Sequence, residues 1–392
     1  MRNVVCICID AVRRDLFKAY NPNSFIDLAL PLEQVMNVNA MQCYSPSSWT
    51  GPVIASMFTG LHPSEIADTL NILSWWDTKL PDQSLLSEFN NTWCFTSNPC
   101  MQSLGFEKYF DNYLLVNAEH IHVEGDQVQS KAASFKHGSR IASRVTKAST
   151  ILKEPFFIYI HLMDAHYPTS LDYMDSKAVR AYNDEHIQKY ISGAYTATVQ
   201  AAECLKPLMQ YDPIVAVFAD HGDAYKGEHG IEDWRMCMHT GSLYNELINV
   251  PLLMNIDLGE ETIPLRHLFR ILASLARNEQ MSMSSEPIVS QVITLPMVCN
   301  YEQLVSMVSG DSKIIYNVDR RVAEKYDLKN DPKELNNLGV QDPNELTPIM
   351  DYIIPHDARA LVVTAVQADG SRRMMRVDMG NNGPYGFTGD AE

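Results

Sequence analysis

Three short apolar runs end in side chains that can carry acid, base or ligand chemistry. NVVCICI (3–9) stops at Asp10, PFFIYIHLM (155–163) stops at Asp164, and PIVAVFAD (213–220) runs into Asp220-His221-Gly222. An aspartate and a histidine side by side offer an oxygen and a nitrogen ligand, and the glycine lets the backbone turn beside them. A fourth candidate opens a helix. In SPSSWTGPVIASMFTGLHP (45–63), Thr50 stands directly before Gly51-Pro52 and the apolar run VIASMF, and a hydroxyl residue followed by proline in the first turn is a helix start. The plain structural reading of Thr50 is an N-cap. The chemical reading is an alcohol at the positive end of a helix, where unpaired N–H groups steady an anion transferred to it.

These side chains need elements to hold them. Short continuous runs rich in β-branched residues are strands buried on both faces, and TWCFTS (92–97) is a weaker fourth. Stretches with helical spacing lie between them, QSLLSEF near 83–89 and the long 173–209 region. Strands alternating with helices predict a mainly parallel α/β sheet covered on both sides. Ligands gather beyond the carboxyl ends of such strands, and Asp10, Asp164, Asp220 and His221 fall there.

After about residue 305 the texture changes. SKIIYNVDRRVAEKYDL predicts two strands joined near Asp319, and Asp369-Gly370 sits between alternating segments as a second hairpin. The expected division is a catalytic domain over 1–305, a small C-terminal β subdomain over 306–378 and a Gly-rich flexible tail over 379–392.

Composition narrows the function classes. With 46% hydrophobic and 20% charged residues the chain can bury a full core. Lys and Arg number 31 against 48 Asp and Glu, a net charge of −17 that repels nucleic acid and anionic membrane surfaces. No apolar run approaches the roughly 18–20 residues that cross a bilayer. Eight cysteines without a C-x-x-C pair predict thiols in a reducing compartment, and the apolar stretch before Asp10 is shorter than a signal-peptide core. A cytoplasmic location is the expectation.

Six segments, taken in order, resemble the sulfatase branch of the alkaline phosphatase superfamily over about residues 3–340. They are IDAVRRD, the helix-opening segment nine residues before Thr59-Gly60, SNPCMQSLGFEKYFD (97–111), ADHGDAYKGEHG (219–230), SLYNELINVPL (242–252) and KYDLKNDPKELNNL (325–338). The resemblance implies an alkaline-phosphatase-like three-layer sandwich with a mainly parallel central sheet and a small C-terminal antiparallel sheet. It also implies a metal-dependent ester hydrolase acting on a small anionic substrate.

Departures from the family pattern bear on the chemistry. Family sulfatases place at the nucleophile a Cys or Ser, matured to formylglycine, with an Arg four residues on; here the slots hold Thr50 and Ile54, and residue 11 is Ala. An unmodified Thr nucleophile is what phosphodiesterase and phosphatase relatives use. The resemblance therefore points to phosphate mono- or diesters or phosphonate esters, with sulfuric esters, transfer of a phospho group to an alcohol, or a catalytically silent anion-binding relative as alternatives. The implied metal site is Asp10, Thr50, Asp220 and His221 around one divalent ion, a set suited to manganese or zinc and open to calcium or magnesium.

Further roles follow from the same resemblance. In HLMDAHYP (161–168), His166 matches a family histidine that contacts substrate, and Asp164, His166 and His239 are the alternative for a second metal site. His239 is the expected proton donor to the leaving group, or else a surface residue of its loop. Asn98 matches a position that donates to substrate oxygens, although Ser-Asn-Pro is equally good turn chemistry. His161 reads as a core residue, His229 as a rim or loop-holding residue, His120 and His122 as solvated surface, Arg13-Arg14 as salt-bridging side chains, and Trp75-Trp76 as buried.

Overall fold

The computed structural model describes residues 1–70, 85–98, 105–116, 138–166, 177–230, 239, 241–259, 262–279, 286–292, 302–350, 352, 361–366, 372–378 and 386–390. His120, His122, Trp75, Trp76 and most of the 100–135 and 165–180 loops lie outside them.

The first sheet has eight strands: β1 (Val4–Ile9), β2 (Asn39–Tyr44), β3 (Thr92–Thr96), β4 (Asn112–Leu115), β5 (Phe157–Leu162), β6 (Ile214–Phe218), β7 (Asn249–Met254) and β8 (Thr262–Pro264). Their spatial order is β4-β3-β5-β1-β6-β7-β2-β8, with β7 antiparallel to both of its neighbours. Strand β1 lies between parallel β5 and β6, pairing Cys8 with His161 on one side and Phe218 on the other. All six of its residues are buried, which is why its sequence is continuously apolar rather than alternating.

Helices cover this sheet. α1 (Thr50–Thr59) packs on α4 (Leu268–Ala276), and Phe269 of α4 meets Phe157 and Tyr159 of β5 edge-on. α2 (Gly138–Ser149) packs on α3 (Glu185–Leu205), which leans on β1. The long 173–209 helical stretch is thus mainly α3, started by Asp184, whose carboxylate accepts from the His186 and Ile187 N–H groups. Among the described residues no helix is long and apolar enough to cross a membrane. Five cysteines, at 6, 8, 43, 94 and 204, are free and buried.

The second sheet is β9 (Ile288–Val292), β10 (Leu304–Ser309), β11 (Ser312–Asn317), β12 (Val322–Asp327), β13 (Leu361–Val366), β14 (Arg372–Asp378) and β15 (Gly386–Asp390), paired in sequence order. All pairs are antiparallel except β12 with β13. Both expected hairpins form, β11 with β12 and β13 with β14. Pairing begins at Ile288, upstream of the boundary expected at 305, and Gly386–Asp390 of the expected tail pairs with β14. Val292, Leu304, Val308, Ile315 and Tyr326 of this sheet share a core cluster with Tyr44, Leu243 and Leu247.

A buried ion pair ties the last segment to the first domain. Lys313 Nζ lies 2.6 Å from Glu334 Oε1, both fully sheltered, and both side chains also bond Asn245: its side-chain oxygen accepts from Lys313 at 3.0 Å, and its N–H donates to Glu334 at 2.5 Å. Burial pushes the Lys313 ammonium below its ordinary value and the Glu334 carboxyl above its own. Glu334→Ala leaves the ammonium unpaired, so denaturant unfolding should show a loss of about 3–5 kcal/mol. The double replacement Lys313→Met, Glu334→Leu should recover most of it, because no charge is then stranded.

Candidate active site

The loops after β1, β2, β3, β5 and β6 bring their polar side chains to one place. Asp10 follows β1 directly, and Ala11 takes a left-handed backbone at φ 58°. That turn aims the Ala11 N–H at Asp220 Oδ1, 3.1 Å away, while the Ala11 carbonyl accepts from Tyr190 Oη at 2.7 Å. The His221 N–H also donates to Asp220 Oδ1, at 3.0 Å. Gly222 is required by packing: a Cβ there would overlap the Glu246 carbonyl, and its N–H donates to Leu247 O at 2.8 Å. The D-H-G and S-L-Y-N-E-L segments are therefore in backbone contact.

Each aspartate has one oxygen fixed and one open. Asp10 Oδ2 lies 2.9 Å from His161 Nε2, 2.9 Å from Asn98 Nδ2 and 3.2 Å from Thr50 Oγ1. Asp10 Oδ1 and Asp220 Oδ2 are buried without a hydrogen-bond donor, and His221 Nε2 lies 3.9 Å from the first and 3.6 Å from the second. The other ring nitrogen of His221 faces the Gly222 carbonyl at 2.8 Å and must be the one that carries hydrogen in the neutral ring, leaving a lone pair on Nε2. Burial pushes the His221 imidazole below its ordinary value against the pull of Asp220. Burial would raise Asp10, but the charge of His166 and the bond from His161 outweigh it and hold this carboxyl well below the usual range.

Thr50 is the first residue of α1, whose N-cap is Trp49, so the N-cap reading does not hold. Its hydroxyl faces the cluster, 3.3 Å from His221 Nε2. The approach loop is pinned: Ser45 Oγ donates to Asp220 O, Ser290 Oγ of β9 donates to Ser45 O, and Gln291 N donates to Pro46 O. Ile54, in the slot where family sulfatases carry Arg, is fully buried.

Asp10, Thr50, Asp220 and His221 are thus brought together as the sequence predicted. Ligand atoms of Asp10, Asp220 and His221 lie within 4.8 Å of one another, and the two open carboxylate oxygens beside a lone-pair nitrogen fit a divalent cation. Asn98 Nδ2 donates to Asp10 Oδ2 in this structure. The His239 ring lies 4.5 Å from that of His221 and 5.3 Å from that of His166, with Nδ1 3.6 Å from Asp223 Oδ1. Asp164 is buried against Gly138. Asp164, His166 and His239, the alternative for a second metal site, form no group as compact as that of Asp10, Asp220 and His221 among the described residues.

His161 belongs to the site, which its apolar strand context concealed. Its Nδ1 accepts from Tyr159 Oη at 3.0 Å, leaving Nε2–H to donate to Asp10. Arg13 is a salt-bridging residue as expected, reaching Asp15 and Glu228 and stacking on Tyr225. His229 stacks on Tyr244 and pairs with Glu246 at 3.2 Å, holding its loop.

The sulfatase family model matches residues 2–282. The chain belongs to the sulfatase family. As a member of that family it is a hydrolase. No curated protein matches the sequence. Among solved structures, a sulfatase from a Bacteroides thetaiotaomicron locus for metabolism of multiple glycosaminoglycans is 16% identical with a TM-score of 0.63, over 90% of this chain and 99% of that one. A 2-O glycosaminoglycan sulfatase is 17% identical (TM-score 0.60, 90% of each chain). The phosphonate monoester hydrolase of Agrobacterium radiobacter is 12% identical (TM-score 0.58, 90% of this chain and 94% of that one). At these identities the likeness to this sulfatase-family chain is one of fold.

Proposed function

We propose that this sulfatase-family hydrolase cleaves phosphate mono- or diesters or phosphonate esters with Thr50 as an unmodified nucleophile. The observation that carries the reading is the place of Thr50 Oγ1, 3.2 Å from Asp10 Oδ2 and 3.3 Å from His221 Nε2 at the start of α1. Asp10, Asp220 and His221 would hold one divalent cation, with the Thr50 hydroxyl beside it. Such an ion supplies Lewis-acid polarisation of the ester oxygen and a lowered pKa for the alcohol.

The remaining steps belong to the side chains. Thr50 Oγ forms a bond to phosphorus while the bond to the leaving oxygen breaks on the opposite face; the hydroxyl proton is lost to water. His239 or His166, beyond His221, gives a proton to the departing alkoxide. Water then attacks phosphorus, the P–Oγ bond breaks, and Thr50 is restored. The free N–H groups of the first turn of α1 face the developing anion. His161 and Asn98 keep Asp10 Oδ2 occupied, so that its other oxygen is the one presented.

The phosphorus preference rests on Thr50 and Ile54, from which neither formylglycine nor its supporting Arg can be made. Family membership favours sulfuric esters as the second reading. Purified protein should be assayed with nitrophenyl phosphate, a bis-nitrophenyl diester, a phosphonate monoester and nitrophenyl sulfate under manganese, zinc, calcium and magnesium. A phosphorus ester should turn over fastest under at least one ion; nitrophenyl sulfate turning over fastest under every ion would reverse the preference. We extend the reading to a cytoplasmic setting, supported by the five free buried thiols.

A further inference from the structure

A cleft of about 940 Å³ lies where the 13–23 segment, β2, the 227–229 turn and the loops of the second sheet meet. Thr50, Asp10, Asp220 and His221 do not line it. Most charges in its wall cancel locally. Arg13 pairs with Asp15 and Glu228 at 2.7 and 2.6 Å, and His229 pairs with Glu246.

Arg14 is the exception. Its guanidinium lies 4.1 Å above the Tyr20 ring and its Nη2 donates to Gln42, yet Nε is buried with no acceptor, and no carboxylate among the described residues forms an ion pair with it. Burial pushes this guanidinium below its ordinary value. In a chain with a net charge of −17 a half-buried cation with no ion-pair partner among the described residues is a place for a ligand anion. The groups beside it suit hydroxyls. Gln42 Nε2 donates to Asn249 Oδ1 at 3.3 Å, Asn249 Nδ2 lies 3.5 Å from Tyr44 Oη, and Lys333 stands exposed at the rim.

We propose that this cleft is a second binding site, for a hydroxylated organic anion. Its carboxylate, sulfate or phosphate group sits on Arg14, and its hydroxyls meet the amides of Gln42 and Asn249. Planar guanidinium donors suit two oxygens of one anionic group, and carboxamides can give and accept toward hydroxyls. The site stands apart from Thr50 and does not rest on the nucleophile assigned above.

Titration calorimetry on the full chain carrying Thr50→Ala, so that no ester is consumed, tests this with sodium glucuronate, glucose 6-sulfate and neutral glucose. Either anion, or both, should bind saturably and glucose much more weakly; which anion binds tells the carboxylate source from the sulfate. Adding Arg14→Gln should weaken binding about tenfold or more, the loss expected for a charge-assisted contact. Lys333→Glu, on an exposed loop where folding is not at risk, should weaken it as well. Absence of saturable anion binding, equal binding of glucose, or binding unchanged by both substitutions would overturn the proposal.

Discussion

Replacing Thr50 by alanine is expected to lower turnover of the best phosphorus ester by about 10³-fold or more, the scale seen when a covalent nucleophile is removed. Asp10, Asp220 and His221 are untouched by this change, so metal content and thermal stability should stay near those of the parent. Loss of rate with retained metal separates a missing nucleophile from a collapsed site. Thr50→Ser keeps the alcohol at the first position of α1 and should restore a measurable part of the rate. A phosphorus label on residue 50 after acid quench of the parent would be the direct sign of the intermediate. Turnover by Thr50→Ala equal to that of the parent would remove this residue from the chemistry.

The second large effect concerns Asp220. Its Oδ1 is engaged by the Ala11 and His221 N–H groups, and only Oδ2 is open. Asp220→Asn places an amide, half of it a donor, into a group that needs negative oxygen. Elemental analysis should then find bound divalent metal falling from about one per chain toward none, with ester turnover falling to the level of chelator-treated parent. Adding back excess ion should rescue the treated parent but not Asp220→Asn. A ligand present at 100 times its Kd stabilises the folded state by about 2.7 kcal/mol, so the parent should also melt higher with the ion than without it, and Asp220→Asn should not respond. An Asp220→Asn protein that keeps full metal content would mean that the ion, if present, is held elsewhere.

The strands that carry the site were legible because burial on both faces leaves a continuous apolar run that stops where polar chemistry starts. β1, β5 and β6 have that form, and Asp10, Asp220 and His221 follow from their ends. Strand β2, NAMQCY, mixes polar and apolar residues, and β7 contains Pro251; neither has the local pattern of a central strand, yet both are held in the sheet by pairing with each other. The position of Thr50 was readable, whereas its standing inside rather than before the helix was not, since one residue of offset leaves no mark in the sequence. His161 was hidden for a different reason. Its approach to Asp10 depends on the register that sets it beside Cys8, 153 positions away in the chain, and strand composition says nothing about register. The cleft at Arg14 is likewise a product of segments remote in sequence.

The serine and glutamine of β9 that grip the 45–46 turn make the C-terminal sheet part of the catalytic apparatus in a mechanical sense. Trimming the chain back to its eight-stranded sheet and the helices that cover it would remove the support behind Thr50, the proposed nucleophile, even though every acid and imidazole around it would survive. Damage at β9, far along the polypeptide from Thr50, would therefore disturb that alcohol without touching any of the acids or imidazoles around it.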